Sequence, residues 1–312
     1  MASIVACNFS VLSLTGGCPR GREAAKDTPG SGEVFMGFAK HALLGDGFRI
    51  VAYRGGADER PENTLAAFEH AASLSKSIVI ELDVRRTLDG VLVAMHDDDV
   101  SRTTDGAGKV SELDHDTLRS FDAGYRFEKS GQFPYRGCGV GIPTVSEVLA
   151  RLPEQLLVLD VHGEHPSIAH DLARLVEQHG AAARVVIASE LTNVVHRTRR
   201  AHPDWLLSAT AGQLRARVLL ERIHLDTLAP RTGGIVMIPE VHGSLRVLTP
   251  RFVAHAHARG ERVWVWVVEQ LADSHRLRAM GVDGVFTPSP TAFLQAHDDH
   301  LTTAPAVIPP FP

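Results

Sequence analysis

Glu81, Asp83 and His96 fall within one short stretch of the chain, from Ile78 to Asp97, and are residue types that can do chemistry. Glu81 and Asp83 are separated by one residue inside an apolar run that has the character of a β-strand. Because side chains alternate along a strand, both carboxylates are predicted to lie on the same face. Burying two carboxylates without a partner is costly, so the pair predicts a bound cation.

A return strand is predicted to bring His96 to the same surface. Asp89-Gly90 is typical of a two-residue turn between β-rich segments. If that turn is tight, Leu88 pairs with Val91 and His96 is placed opposite Asp83. About twenty residues would then assemble two acids and an imidazole on one surface.

The segments around this hairpin predict the fold that positions it. From residue 48 onward, apolar strand-like runs alternate with helical patterns, which favours an α/β fold with a parallel sheet. The predicted strands are 48–53, 78–84, 156–161, 184–188, 205–209, 234–238, 262–268 and 283–287. The predicted helices are 63–74, 144–152, 167–179, 191–201, 212–222, 249–259 and 271–280. Eight strands in this order match a closed (β/α)8 TIM barrel, with the return strand 91–96 as a β-hairpin at its mouth.

Composition shifts divide the chain into three parts. Residues 1–47 are predicted to be an N-terminal extension with Gly/Pro/Ser-rich loops and a short helix near 35–44. Residues 48–298 form the predicted barrel, and residues 299–312 a C-terminal tail. The extension is expected either to cap the barrel bottom or to shield its mouth.

Overall composition excludes several classes of protein. The net charge of −5 argues against a nucleic-acid partner, and no apolar run is long enough to predict a transmembrane segment. Three scattered cysteines are too few for a disulfide framework, which favours a reduced, cytoplasmic protein. The expected partner is a small molecule, while the oligomeric state stays open.

Further candidate site residues follow other predicted strands, where barrels of this kind carry their chemistry. Asp160 and His162 lie at the end of the third strand, next to the strand of Glu81 and Asp83. Three carboxylates form an all-oxygen site that suits Mg²⁺ or Ca²⁺ better than zinc. Glu62, which opens the first helix, either joins this shell or only complements the helix dipole. The alternative for the paired acids is a set of salt bridges to Arg85 or Arg86.

Arg54 follows the first strand and is succeeded by Gly55 and Gly56. Small residues let a ligand approach the backbone, and a guanidinium pairs well with phosphate. Arg54 is therefore a candidate phosphate-binding residue, the alternative being an ordinary surface arginine in a turn.

A set of ordered motifs resembles the glycerophosphodiester phosphodiesterase family. The matching segments are Pro61-Glu62-Asn63-Thr64, Glu81-x-Asp83, Asp89-Gly90, His96-Asp97, Arg102-Thr103-Thr104, Asp122-Ala123-Gly124, Ile142-Pro143-Thr144 and Gly281-Val282-Asp283-Gly284. The resemblance covers roughly residues 48–290 and implies a TIM barrel, a divalent metal and cleavage of a phosphodiester. The chain is also similar, more distantly, to spider-type sphingomyelinase D enzymes.

The chain departs from the family at the catalytic end of the barrel. Where the family begins its site with His-Arg-Gly, this chain has Tyr53-Arg54-Gly55, so one of two family acid/base histidines is replaced. His96 matches the other. The usual Glu-x-Lys is Asp160-Val161-His162, which keeps a metal ligand and exchanges the lysine for an imidazole.

The resemblance and the residues together predict a metal-dependent phosphodiesterase with altered acid/base residues. Glu81, Asp83 and Asp160 are the expected metal ligands, with Arg54 and His162 at the phosphate. His96 is the expected general acid or base, with Tyr53 or His162 as its partner. Two alternatives stay open: a repurposed enzyme with an unusual phosphoester or non-hydrolytic phosphoryl chemistry, or a pseudoenzyme that only binds a phosphate ligand.

Overall fold

The computed structural model describes residues 41–302, apart from residues 46, 231 and 233. Most of the predicted N-terminal extension and residues 303–312 of the predicted tail lie outside the described residues. Of the helix predicted near 35–44, only a short 3-10 turn at Ala42–Leu44 is described.

Eight parallel strands close into a barrel. In chain order the strands of the described part are β1 (Arg49–Ala52), β2 (Val79–Arg86), β3 (Leu92–Ala94), β4 (Leu156–Val161), β5 (Val185–Ala188), β6 (Leu207–Ser208), β7 (Gly234–Ile238), β8 (Val241–His242), β9 (Leu245–Arg246), β10 (Arg262–Val265) and β11 (Gly284–Thr287). The barrel order is β1-β2-β4-β5-β6-β7-β10-β11, and pairing of β1 with both β2 and β11 closes it. All eight predicted barrel strands are present, so the predicted (β/α)8 architecture is confirmed.

A helix follows each barrel strand. The α-helices are α1 (Leu65–Leu74), α2 (His115–Arg119), α3 (Val145–Arg151), α4 (Ile168–Gln178), α5 (Thr192–Ala201), α6 (Ala211–Arg222), α7 (Pro250–His257), α8 (Leu271–Ala279) and α9 (Pro290–Thr302). Threonine caps start several of them; the side chains of Thr144 and Thr210 each take part in a capping box. The prediction missed α2 and α9, and the boundary drawn at residue 298 falls inside α9.

Alternation along the strands separates the barrel interior from the surface that the helices cover. Val51, Val79 and Val158 belong to the interior cluster, while their strand neighbours pack outward against helices such as α1. Leu43, only 1% exposed, packs into the same interior cluster from the end where the strands begin. The described residues at the end of the extension therefore pack at the barrel bottom, opposite the carboxyl ends of the strands, which form the mouth.

The hairpin at the mouth is present with a register one residue away from the prediction. Strand β3 runs antiparallel to β2 and pairs Arg86 with Leu92, so Leu88 does not pair with Val91. The connection holds three residues rather than two, because Val91 N donates to Thr87 Oγ1 at 2.9 Å and Gly90 adopts a φ of +94°. A threonine hydroxyl thus closes the loop one residue earlier than the Asp89-Gly90 pattern suggested.

No helix among the described residues is both long enough and apolar enough to cross a membrane.

Candidate functional site at the barrel mouth

Three carboxylates converge at the mouth because two neighbouring strands are in register. Asp83 of β2 lies directly beside Asp160 of β4, and Glu81 points to the same side one step deeper. Glu81 and Asp83 are 3% and 2% exposed. One oxygen from each of the three side chains lies within 4.8 Å of the others. The spatial grouping predicted from alternation is therefore what the structure contains.

Glu81 lies in a buried position that disfavours its negative charge. Burial and the negative charge of Asp83 raise its pKa well above the ordinary value. Its Oε2 accepts one hydrogen bond from the backbone N of Arg54 at 2.6 Å. Burial likewise raises the pKa of Asp160. The two carboxyls are therefore destabilised as anions unless a cation joins them.

Asp83 is held in the ionised form by its neighbours. Burial opposes its charge, but the hydrogen bond with His162 and the guanidinium of Arg54 lower its pKa below the usual range. His162 Nε2 lies 2.9 Å from Asp83 Oδ1, and Arg54 Nε lies 3.2 Å from Oδ2. Asn63 donates to the same Oδ2 at 2.7 Å and accepts from the Asp83 backbone N.

A strained turn places Arg54 at this cluster. Arg54 has a φ of +52° and is followed by two glycines with positive φ. A Cβ at Gly55 would lie 2.8 Å from both Ala67 Cβ and Phe68 Cδ1, so only glycine fits there. The turn directs the Arg54 backbone N at Glu81 and its side chain at Asp83.

Glu62 lies in ion pairs rather than in the carboxylate trio. Its Oε1 accepts from Arg54 Nη1 at 2.9 Å and from Arg102 Nη2 at 2.7 Å. Among the described residues, the groups with metal-binding spacing do not include Glu62. Arg102 also donates to Asp97, whose other oxygen contacts His96 Nδ1 at 2.6 Å. Contacts through the charged side chains of Glu62, Arg102 and Asp97 thus connect Arg54 to His96.

The arginines that could have neutralised the paired acids turn elsewhere. Arg85 donates to the backbone O of His96 and lies near Asp98, while Arg86 pairs with Asp171 on α4. The salt-bridge alternative for Glu81 and Asp83 therefore does not hold for these two arginines.

His96 and His162 lie side by side across the mouth. Their ring centroids are 5.3 Å apart at an interplanar angle of 63°. One ring nitrogen from each lies within 4.8 Å of an oxygen of Asp83. His96 reaches the site although Asp83 pairs with Met95 instead, since β3 ends at Ala94 and the chain then leaves the ladder. Burial lowers the pKa of His162, but Asp160 and Asp83 outweigh it and the net shift is upward.

Tyr53 forms part of the apolar wall of the mouth. Its ring packs against the interior cluster and lies 4.6 Å from the Arg54 guanidinium carbon. Burial raises its pKa far above that of a free phenol, with Glu81 and Asp83 adding to the effect. Within the described part of the chain its hydroxyl has no hydrogen-bond partner.

The donor set fits a hard divalent cation. Glu81, Asp83 and Asp160 supply only oxygens, and Arg54 supplies one positive charge against three carboxylates. Carboxylate oxygens at this spacing are the ligands that Mg²⁺ and Ca²⁺ prefer. The excess negative charge, buried for Glu81 and Asp83, is the observation that calls for such an ion.

Three residues at the site were not among the predicted site residues. Asn63 orients Asp83, while Asp97 and Arg102 hold His96. Each stands in a motif used for the family resemblance, so the signal was present in the sequence. Their roles depend on contacts between loops, and strand alternation says nothing about those.

The chain is similar to a known protein family over most of the barrel. Residues 54–292 match the model of the glycerophosphoryl diester phosphodiesterase family. The chain belongs to this family. The match starts at Arg54, directly after Tyr53, so it carries no information on the replaced histidine.

Individual members of the family are similar to this chain over most of its length. A glycerophosphodiester phosphodiesterase of Caldanaerobacter subterraneus is 28% identical over 78% of this chain and 96% of its own length. The glycerophosphoryl diester phosphodiesterase domain of an uncharacterized Mycobacterium tuberculosis protein shares the fold, with a TM-score of 0.72, 23% identity and coverage of 81% of this chain and 100% of that domain. An Oleispira antarctica phosphodiesterase solved with the product sn-glycerol-3-phosphate gives a TM-score of 0.66 at 24% identity, covering 80% and 96% of the two chains.

Proposed function

We propose that this family member hydrolyses a glycerophosphodiester-like small molecule with the help of Mg²⁺ or Ca²⁺. The observation that carries the proposal is the convergence of three carboxylates, one guanidinium and two imidazoles at the barrel mouth. A cation held by Glu81, Asp83 and Asp160 would supply Lewis acidity toward a phosphoryl oxygen.

The chain's own residues would bind and neutralise the phosphate. Arg54 already presents its guanidinium at the mouth, held by Glu62 and Asp83. Guanidinium groups match phosphate oxygens in geometry and charge. His162, which stands where the family has a lysine, would add positive charge when protonated. Its raised pKa supports that form.

Proton transfer is assigned to the two histidines. Asp97 accepts from His96 Nδ1, which leaves Nε2 without a proton in the neutral ring and able to act as a base. Attack of water, or of a substrate hydroxyl that first gives a cyclic phosphate, would pass a proton to His96. The leaving alkoxide would receive a proton from cationic His162. This assignment gives His162, rather than Tyr53, the role of partner to His96.

We further propose that the enzyme works in the cytoplasm on a small molecule. Cys138 is an exposed free thiol, which supports a reducing, cytoplasmic location. The acidic net charge supports a small-molecule substrate rather than a nucleic acid.

A metal-dependent product assay tests the proposal. The full chain, stripped with a chelator, would be given glycerophosphodiesters, lysophospholipids and nucleotide-sugar diesters with Mg²⁺ or Ca²⁺. Linear and cyclic phosphate products would be followed by phosphorus NMR. We expect alcohol release that disappears on chelation and returns with metal. Release that survives chelation would refute the metal role, and binding of the diesters without release would identify a pseudoenzyme.

A further inference from the structure

A second set of metal-ligand atoms shares Asp83 with the carboxylate trio. One atom each from Asp83, His96 and His162 lies within 4.8 Å of the other two. Two imidazoles and a carboxylate favour borderline ions such as Zn²⁺ or Co²⁺, whereas Mg²⁺ and Ca²⁺ favour oxygen ligands. The two sets therefore differ in chemistry although they touch at one residue.

We propose that Asp83, His96 and His162 form a second cation site that takes Zn²⁺ or Co²⁺ beside the hard-oxygen site. Three protein ligands with an open fourth position are the usual number for a zinc site that also binds water or substrate. The site exists in this chain because His162 stands where the family resemblance implies a lysine. A lysine is normally protonated and has no free lone pair for a metal.

The surroundings of His96 support a ligand role. Its Nδ1 contacts Asp97 Oδ1 at 2.6 Å, and Asp97 is itself held by Arg102. Metal-ligating histidines usually donate their other ring N–H to a carboxylate in this way, which fixes the ring and raises its basicity. This contact leaves Nε2 as the ring nitrogen available to a metal ion.

The contact between His162 and Asp83 is slightly shorter than a shared metal ion requires. His162 Nε2 lies 2.9 Å from Asp83 Oδ1, whereas tetrahedral zinc holds its ligand atoms about 3.3 Å apart. Asn63 and Arg54 occupy the other oxygen, Oδ2, so Oδ1 is the one that faces the histidines. A shift of a few tenths of an ångström and loss of the shared proton would open this pair for an ion, with a His96 nitrogen within 4.8 Å of both atoms.

Charge at the mouth also accommodates two divalent ions. The carboxylates here outnumber the guanidinium groups by three; they are Glu62, Glu81, Asp83, Asp97 and Asp160, against Arg54 and Arg102. With His162 cationic, one divalent ion leaves no net charge, and a second ion, which displaces the His162 proton, leaves one positive charge. A phosphodiester monoanion would balance the latter state.

Metal titration of variants tests the second site directly. Co²⁺ would be titrated into the chelator-treated full chain with saturating Mg²⁺ present, and binding followed by calorimetry and by the visible absorption of Co²⁺. His162→Lys, which restores the residue that the family implies, should weaken Co²⁺ binding by at least about 100-fold, since losing even an outer partner costs 10–100-fold. His196→Lys, at an exposed position on α5, is the matched control for surface histidines.

Two more variants separate the sites and guard against misfolding. Glu81→Gln should abolish Mg²⁺ binding and keep the Co²⁺ spectrum, while His96→Asn should lose that spectrum and keep Mg²⁺. Asp97→Asn should weaken Co²⁺ about 10-fold or more. Equal Co²⁺ affinity in the wild type and His162→Lys, or equal losses in His162→Lys and His196→Lys, would overturn the proposal.

One consequence, unlike the binding itself, rests on the proposed function. A ligated imidazole cannot carry a proton, so Zn²⁺ at this site should inhibit the reaction measured with Mg²⁺ or Ca²⁺. Binding without inhibition would keep the site and remove the acid/base roles given to the histidines. Inhibition without the Co²⁺ spectrum would instead point to zinc in the carboxylate trio and count against the second site.

Discussion

Charged residues meet at both ends of the barrel, and the two groups are balanced differently. At the bottom, Arg217 of α6 pairs with Glu261, and Thr232 donates its backbone N and hydroxyl to the same carboxylate. Arg217 and Glu261 are 2% and 1% exposed, yet their charges cancel. We call these three residues the bottom cluster.

The mouth cluster, consisting of the five carboxylates and two arginines described above, has three more carboxylates than guanidinium groups. A balanced buried pair is what structure alone requires, because an uncompensated buried charge costs several kcal/mol. An unbalanced one needs either protonation of a carboxyl or a ligand that completes it. The difference therefore supports a structural ion pair at the bottom and a binding site at the mouth.

The largest effect is expected from removing a metal ligand at the mouth. Glu81→Gln keeps the shape of the side chain and removes one anionic ligand from the trio. Lewis-acid stabilisation is worth several kcal/mol, so kcat/KM should fall by about 10³-fold or more. Steady-state kinetics with saturating metal measures this, with Glu69→Gln on the exposed face of α1 as control. A loss below about tenfold would mean that Glu81 does not hold the ion.

The same substitution at the bottom should act on stability instead. Glu261→Gln leaves the buried Arg217 without a counter-charge, so the free energy of unfolding should fall by about 3 kcal/mol. Urea denaturation measures the change, and activity per folded molecule should stay as in the wild type. Adding Arg217→Met should recover much of the loss, because it removes the orphaned charge. If the double variant is no better, the bottom cluster is not held by charge balance.

Strand patterns predicted the three proposed metal-binding carboxylates of the mouth cluster but gave no sign of the bottom cluster. Glu81 and Asp83 share one strand, and Asp160 follows from the parallel pairing of neighbouring strands. Arg217 and Glu261 are 44 residues apart on elements of different kinds, and nothing in either local pattern indicates the other. For the same reason Asn63 and Arg102 were missed, while Asp97 was overlooked beside His96. The predicted hairpin register was wrong by one residue. The Thr87 hydroxyl accepts a hydrogen bond from Val91 N, and the loop between the strands therefore holds three residues.

In the metal-free protein, neutralising a carboxylate should raise the free energy of unfolding at the mouth and lower it at the bottom. Glu81→Gln removes a charge that burial and Asp83 disfavour, as the raised pKa of Glu81 reflects. A group whose pKa is raised on folding makes the folded protein less stable as the pH rises from the unfolded pKa towards the folded pKa. At neutral pH the variant should therefore be more stable than metal-free wild type by at least about 1 kcal/mol, the energy of two like charges a few ångström apart in water.

Thermal unfolding with and without metal measures this reversal. Metal should raise the melting temperature of the wild type and not that of Glu81→Gln, so the order of stability changes on adding Mg²⁺ or Ca²⁺. Destabilisation of the metal-free variant would show that the mouth cluster is already balanced, like the bottom cluster.

The smallest effect is expected at Tyr53, which faces the mouth cluster but adds no charge to it. Burial opposes ionisation of its hydroxyl, and Glu81 and Asp83 add to the effect because a phenolate would be one more negative charge beside them, so its pKa is raised. The ring instead packs on the barrel interior and against the Arg54 guanidinium. Tyr53→Phe keeps both contacts, and kcat/KM should stay within about threefold of the wild type. One working acid or base contributes roughly 10²–10⁴-fold. A loss in that range would give the proton-transfer role to the Tyr53 hydroxyl rather than to His162, and would mean that the excess negative charge of the mouth is relieved enough on substrate binding for a phenol to ionise.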